Sequence, residues 1–301
     1  VALIDVPNHD NCGDNAILVG ELAYLKRRGA DIRMLADHRA YSAERLRSSL
    51  PPDGVIALHG GGNIGGSWPN HQRLRRRVLA DFPDRRTVIM PQSIWVHGAE
   101  AEETAADYGR HEQLTLLVRD QASLSAAREK LGVDATLCPD AAFGMDRPNA
   151  QESRRGPLLL LRADGGAVEA SPVDVGSVDW PPERGWDSIR RTAMRVSSRA
   201  GANLGPAARF SAANYHIAAQ HRTDEAFELL IGRQLVCTDR LHGCILGLLA
   251  RTPLVLVPES TGKLRSFHQT WLAEYEGATL AKDLRDGLER VAAMEPAKKV
   301  A

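Results

Sequence analysis

The sequence predicts an α/β protein of two Rossmann-like domains, each a doubly wound parallel sheet, facing each other with ligands held between them. Three observations lead there. Short apolar runs of strand length alternate with longer segments at helical spacing through nearly the whole chain. Most of these runs end on Gly, Asp, Arg, Gln or Ser, and in parallel sheets ligands collect at the carboxyl ends of the strands. The third is size and composition: 301 residues, 43% hydrophobic and 25% charged, describe a soluble globular chain large enough for two cores.

The first domain is expected over 1–148. Val1–Val6 reads as a strand, Pro7–Cys12 as a polar loop, and Gly13-Asp14-Asn15 opens a helix with Leu18, Leu22 and Leu25 at helical spacing and Gly29 as its stop. Ile32–Leu35 is a strand, Ser42–Leu50 a helix, and Pro51–Gly54 a turn. Val55–Leu58 then runs straight into His59-Gly60-Gly61-Gly62-Asn63, where the missing Cβ atoms let backbone approach a ligand. A basic helix, Asn70–Ala80, precedes the strand Thr87–Met90, which ends at Pro91-Gln92-Ser93. Helix Ala99–His111, strand Leu114–Val118 ending at Arg119-Asp120, helix Ser123–Leu131 and strand Ala135–Cys138 ending at Pro139-Asp140 complete the series.

Residues 146–156 read as a linker, and 156–301 as the second, smaller domain. Pro157–Leu161 restarts the strand pattern and ends at Arg162-Ala163-Asp164. Gly165–Pro206 is irregular, with a short helix expected near Trp186–Ser197. Helix Asp224–Ile231, strand Leu235–Cys237, helix Leu241–Ala250, strand Leu254–Val257, helix Leu264–Trp271, strand Ala278–Leu280 and helix Lys282–Met294 follow, with Lys298-Lys299 fraying.

Composition excludes several function classes. Thirty-eight basic and 38 acidic residues give no net charge, which argues against a nucleic-acid binder with a broad basic field, so any bound anion is small. Cys12, Cys138, Cys237 and Cys244 show no CxxC pair or zinc spacing and read as reduced core residues of a cytoplasmic protein. There is no run of 18 apolar residues and no signal peptide. The chain begins at Val1, inside a strand-like run and without methionine, which is compatible with the removal of an upstream piece. No metal site is expected: His38, His71, His97, His111, His216 and His221 lack paired spacing and read as isolated surface histidines.

The glycine-rich stretch is not a P-loop, and Gly60-x-Gly62-x-x-Gly65 matches a dinucleotide fingerprint only weakly, because no helical pattern starts until about Asn70. It resembles an esterase oxyanion loop, but there is no G-x-S-x-G elbow. Asp14 suits a base or a cation ligand, although an Asp at a helix start is more often a cap. Thr238-Asp239-Arg240-Leu241-His242-Gly243 lies at a strand-to-helix junction, where free backbone N–H groups and the helix dipole favour an anion. There Arg240 supplies a fixed positive fork and His242 a titratable imidazole. On that stretch alone the plainer reading is an Asp239–Arg240 ion pair and an ordinary helix-start histidine. Arg119 after another strand, with its own Asp120 beside it, and Lys263 after a third set the alternative: two forks and an ammonium aimed at one small polyanion.

Asn11–Ile17, Leu58–Asn63, Met90–Ser93, Val118–Asp120, Cys138–Asp140, Thr238–Gly243 and Gly262-Lys263 through Trp271, in this order, resemble the polysaccharide pyruvyl transferases. The resemblance implies a fold similar to the GT-B glycosyltransferases and transfer of pyruvate from phosphoenolpyruvate to sugar hydroxyls as a ketal, with no cofactor beyond that co-substrate. On that resemblance Arg240 and His242, with Arg119, match the family's donor-binding positions; the catalytic residues expected are His242 as acid/base, Arg240, which with Arg119 holds the carboxylate and phosphate, and Asp14 or Asp140 to deprotonate or position a hydroxyl. Donor and acceptor contacts would come from Arg119, Lys263, Gly60, Gly61, Gly62, Asn63, Asn15, Gln92, Ser93, Asp140 and Ser260. Asp239 is expected to hold Arg240 in place. The implied partners are phosphoenolpyruvate and a glycan acceptor, with peripheral contact to a lipid-linked acceptor, no membrane span and no nucleic acid. Two other readings stand beside it: a nucleotide-sugar glycosyltransferase, and a non-catalytic domain that binds a glycan or an anionic metabolite.

Overall fold

The computed structural model describes residues 1–65, 68–149, 155–163, 176–182, 185, 188–190, 192–193 and 206–294, with backbone alone over 206–212 and at 294. Residues 150–154 of the linker, most of the irregular region 165–206 and Lys298-Lys299 lie outside the described residues, and of the expected helix Trp186–Ser197 only 188–190 and 192–193, which are helical, are described. The chain divides into two compact units: Val1–Met145 with Glu183–Arg222, and Asp146–Pro182 with Thr223–Ala301.

In the first unit the strands are β1 (Ala2–Ile4), β2 (Met34–Ala36), β3 (Ile56–Leu58), β4 (Gly61–Ile64), β5 (Thr87–Ile94), β6 (Leu114–Val118) and β7 (Ala135–Leu137). Between them run α1 (Cys12–Arg27), α2 (Ala43–Ser49), α3 (Pro69–Asp81), α4 (Gly98–Gly109) and α5 (Gln121–Leu131). The sheet is wholly parallel, in the order β2-β1-β3-β5-β6-β7, with β4 also paired to β5. Parallel pairing requires the helical crossovers that the alternating sequence pattern predicts. Strands β3 and β4 are one run interrupted at His59-Gly60, so the glycine-rich loop is built into the sheet rather than hung from it. The chain leaves β1 toward β2 on one side and β3 on the other, and that switch point is where such sheets open a crevice beyond the strand ends.

Apolar residues of one sheet face and the helices over it form a core cluster, among them Ile4, Leu46, Leu58, Val78, Ile89 and Val118, and the alternating Leu3 and Leu35 are buried too. Helix α1 is buried on nearly every side, including Cys12, Ala16, Ile17, Leu18 and Leu22, as a helix without a polar face must be. It packs on the short 3-10 turn Ala141–Gly144 so closely that a Cβ at Gly20 would stand 1.9 Å from the Ala141 carbonyl oxygen.

In the second unit β8 (Leu158–Leu160), β9 (Val236–Thr238), β10 (Leu254–Leu256) and β11 (Ala278–Leu280) form a parallel sheet in that order. Its helices are α7 (Leu241–Leu249), α8 (Lys263–Trp271) and α9 (Leu284–Met294). The long helix α6 (Pro206–Leu230) crosses the unit boundary between Arg222 and Thr223.

The division differs from the expected one, which gave all of 156–301 to one domain: Glu183–Arg222 goes with the first unit. The physical cause is a pair of buried polar anchors on α6. Tyr215 Oη donates to Asp37 Oδ2 at 3.1 Å, and Arg222, 1% exposed, donates from Nε to the Asp10 carbonyl at 3.0 Å and from Nη2 to Cys12 Sγ at 3.3 Å. The four cysteines are free thiols. Among the described residues no helix is long and apolar enough to cross a membrane.

Candidate functional site

The carboxyl edge of the first sheet carries a cluster of histidines and carboxylates. Asp5, just past β1, adopts φ +72 although it is not glycine, and its buried carboxylate accepts from His71 Nδ1 on α3 at 2.8 and 2.9 Å. Backbone in that region is uncommon for a side-chain-bearing residue and costs of order 1–3 kcal/mol, so the fold over-determines it. A carboxylate on Nδ1 fixes the imidazole's tautomer and orientation.

A second histidine–carboxylate pair lies deeper. His59 Nδ1 and Glu21 Oε2 are 2.7 Å apart with side chains 4% and 0% exposed, and Glu21 Oε1 accepts the Gly60 N–H at 2.9 Å. Burial pulls the His59 pKa down, but the Glu21 charge and hydrogen bond, with the charges of Asp14 and Asp5, outweigh it and the net direction is up.

Asp14 is not the cap of α1, as its position suggested. Asn11 is, accepting from Gly13 N at 2.8 Å and Asp14 N at 3.3 Å, so Asp14 sits in the first turn with its carboxylate 3.7 Å from His9 Nε2. Asp14 and Glu21, seven residues apart, share one helix face, and both meet the glycine loop. A Cβ at Gly60 would lie 3.4 Å from Glu21 Oε1, and one at Gly61 3.8 Å from Asp14 Oδ1. Gly61 also needs φ +129, which side-chain-bearing residues rarely adopt.

Farther along the same edge, Arg119 is not presented as a ligand-binding fork. It is 3% exposed, donates from Nε to Ser93 Oγ at 2.9 Å, and its Nη1 lies 2.6 Å from Asp140 Oδ2. Ser93 in turn donates to Asp120 Oδ2 at 2.8 Å, and Asp140 Oδ1 accepts the Ala142 N–H at 2.9 Å. Gln92 is likewise buried and laces the loop together, donating to the His59 carbonyl at 2.9 Å and accepting from Asn63 N at 3.2 Å. Asn63 receives the fully buried Arg75 at its side-chain and backbone oxygens. The Asn15 amide donates to the carbonyls of His9 and Asn11 at 2.9 and 2.8 Å. In this structure these residues tie the strand-end loops to one another.

In the second unit the edge is built by the ends of β8, β9 and β10, paired through Leu160, Thr238 and Leu256. Arg240 is the extended residue immediately before α7, and its N–H donates to Thr238 Oγ1 at 3.0 Å. His242 is the second residue of the helix and half-buried. Gly243 is dictated by sterics, since a Cβ would meet Thr238 Oγ1 at 2.6 Å; its absence lets the helix start against the strand it leaves. At the next edge position Glu259 accepts from Gly262 N at 2.6 Å and Leu264 N at 3.1 Å, fixing the turn that carries exposed Ser260 and starts α8 at Lys263.

The expectation that Asp239 holds Arg240 is corrected. Arg240 Nη2 lies 2.5 Å from both carboxylate oxygens of Asp179, whereas Asp239 Oδ1 accepts the Arg162 N–H at 2.9 Å. Burial pushes the Asp239 pKa up to about 6, against the lowering effect of the Arg162 hydrogen bond and the Arg240 charge. A carboxyl that binds its proton more tightly folded than unfolded favours the fold below its unfolded pKa, and this contribution is lost as pH rises toward 6. Asp239→Asn, which keeps an oxygen for Arg162, is therefore expected to flatten the stability profile between pH 4 and 6 and to raise stability at pH 7.5 by up to about 2–3 kcal/mol. Urea unfolding at pH 4.5 and 7.5 checks this; an unchanged pH slope would count against it.

Sequence reasoning placed His59 at the strand edge without its partner, and missed Asp5, Glu21 and Asp179 as members of these sites. The i, i+7 spacing of Asp14 and Glu21 on one helix face was the signal available for Glu21. His71 and His111 are also not the isolated surface histidines expected, since His71 pairs with Asp5 and buried His111 bonds the Phe82 carbonyl at 2.9 Å. Among the described residues no group of three or more His, Cys, Asp or Glu side chains is placed to hold a metal ion.

Residues 11–261 match the model of the family described as polysaccharide pyruvyl transferase. Pyruvyl transferase 1 of Schizosaccharomyces pombe (strain 972 / ATCC 24843) is 32% identical over 306 aligned residues, covering 93% of this chain and 71% of that protein. General stress protein 30 of Bacillus subtilis (strain 168) is 23% identical, over 98% of this chain and 86% of its own. A crystal structure of a functionally uncharacterised protein from Klebsiella pneumoniae subsp. pneumoniae NTUH-K2044 shares the fold at a TM-score of 0.64 and 16% identity, covering 93% of this chain and 91% of that one. The matched segment runs from Asn11 before α1 to the turn beyond β10 and so takes in Asp14, Glu21, His59 and the Arg240–His242 junction, and the chain belongs to the polysaccharide pyruvyl transferase family.

Proposed function

We propose that the chain transfers the pyruvyl group of phosphoenolpyruvate to two hydroxyls of a sugar in a polysaccharide, glycolipid or lipid-linked oligosaccharide, forming a ketal and releasing phosphate. The observation that carries the reading is the β9–α7 junction, where Arg240 and His242 bracket the start of a helix inside the segment matched to the family. A helix start offers unpaired N–H groups and positive potential to an anion, Arg240 supplies a planar fork for a carboxylate, and Lys263 beyond the neighbouring strand supplies a point charge for phosphate.

His242 delivers a proton to the methylene carbon of the donor, which becomes a methyl group. The adjacent carbon, now cationic, takes the first sugar oxygen. Phosphate then leaves with the C–O bond electrons, and the second sugar oxygen closes the ketal. Of the two hydroxyl protons lost, one replaces the proton His242 gave and the other leaves with phosphate. Asp14, in the first turn of α1 beside Gly61, takes the second of these protons from its hydroxyl and gives it up to the departing phosphate in this scheme. Arg119, tied to Ser93 and Asp140, then supports the loops rather than the donor.

The deciding experiment measures phosphate release from phosphoenolpyruvate over a panel of sugars and lipid-linked oligosaccharides, with calorimetric titration of phosphoenolpyruvate and of nucleotide sugars beside it. Phosphate release that depends on an acceptor supports the reading. Binding of a nucleotide sugar alone overturns it in favour of a glycosyltransferase.

A further inference from the structure

We infer that Asp179 is the positioning residue of the donor site: its carboxylate holds Nη2 of the Arg240 guanidinium and thereby fixes the side chain's orientation at the donor site. The inference rests on the reading of Arg240 as the donor-binding arginine. Asp179 follows Val178, whose backbone exchanges hydrogen bonds with Leu159 and Leu161 at 2.9 Å each, so the residue is anchored to the edge of β8. Its carboxylate is fixed from three sides. Oδ2 accepts the Ala163 N–H at 2.9 Å, Oδ1 accepts its neighbour Trp180 N–H at 2.6 Å, and both oxygens lie 2.5 Å from Arg240 Nη2.

The acceptor is thereby immobilised before it meets Arg240, and a fixed acceptor selects one rotamer of a long, otherwise rotamer-rich side chain. The Arg240 side chain is 11% exposed and that of Asp179 25%, so the pair is partly withdrawn from solvent, and the Trp180 ring stands with its centroid 6.0 Å from the guanidinium carbon. A guanidinium presents its N–H donors in a rigid planar fork, so holding Nη2 at Asp179 fixes the direction of the whole group. Binding in a single orientation sets the donor's methylene carbon relative to His242, two residues along the same junction, at every encounter.

Two full-chain variants test this, Asp179→Asn and Asp179→Ala. The first readout needs no substrate: ¹⁵N-resolved NMR of the Arg240 Nη groups, assigned by their loss in Arg240→Lys. Slow rotation with separate Nη signals in the wild type, averaged in both Asp179 variants, is expected; the same signals in all three overturn the inference. The second readout is steady-state kinetics with phosphoenolpyruvate. The KM for phosphoenolpyruvate is expected to rise about 10- to 100-fold in Asp179→Ala, the scale of one charge-assisted hydrogen bond, with kcat falling less and Asp179→Asn lying between. An unchanged KM in Asp179→Ala with an unaltered melting curve also overturns it. If the wild type releases no phosphate from phosphoenolpyruvate with any acceptor, the functional reading fails, and the guanidinium signals still decide whether Asp179 orients Arg240.

Discussion

Replacing His242 with alanine is expected to lower turnover of phosphoenolpyruvate by ~10²–10⁴-fold while leaving its binding largely intact, the signature of a lost proton carrier rather than a lost binding group. His242 is the second residue of α7 and Arg240 the residue before the helix, so the two share a rigid junction yet perform separable tasks. Arg240→Ala should do the reverse in emphasis, raising KM for phosphoenolpyruvate first. The helix itself is insensitive to the His242 change because its register is set by the packing of Cys244, Ile245 and Leu246, all fully buried. Single-turnover phosphate release, with calorimetric binding of phosphoenolpyruvate to the same variant, separates the two effects. Wild-type turnover in His242→Ala on a proven acceptor would remove His242 from the mechanism.

The largest effect on stability is expected at Glu21. Its carboxylate is fully buried, pairs with His59 at 2.7 Å and accepts the Gly60 N–H. Removing one partner of a buried pair leaves an imidazole and an amide desolvated without compensation, so Glu21→Ala is expected to cost about 3–5 kcal/mol. Glu21→Gln, which keeps an oxygen for Gly60, should cost less. The sign of the pH dependence follows from the raised His59 pKa: the pair's contribution is complete below the unfolded histidine value and is lost as pH climbs through the folded one. The deficit of Glu21→Ala relative to wild type should therefore be greatest near pH 6 and narrow at alkaline pH. Urea unfolding at pH 6 and 9, with amide exchange at Gly60 as the local probe, measures both. A loss independent of pH would mean that Glu21 acts only as a filler of space.

The order of elements was legible in the chain because each strand is a short apolar run stopped by turn chemistry. Val55–Leu58 before His59, Leu114–Val118 before Arg119 and Leu235–Cys237 before Asp239 all fall within two residues of observed strands. That the strand-end residues gather on one edge was legible for the same reason, since strand ends in a parallel sheet share one side. What each polar residue does at that edge was not. Arg119 and Arg240 look alike in sequence, each beside an aspartate after a strand. In the fold Arg119 is sealed against Ser93 and Asp140 at 3% exposure, whereas Arg240 stands before a helix start with an anchored Asp179 on one nitrogen.

By itself, then, the sequence determined the α/β class, the parallel pairing, the family and the two strand-edge segments, because periodicity, turn residues and ordered motifs are properties of neighbouring positions. Only the tertiary structure decided the partners: Asp179 for Arg240 across 61 residues, Glu21 for His59 across 38, Asp5 for His71 across 66, and the attachment of Glu183–Arg222 to the first unit. A buried charge is satisfied by whatever group the fold carries to within about 3 Å of it, and that distance is set by the packing of whole elements rather than by separation along the chain.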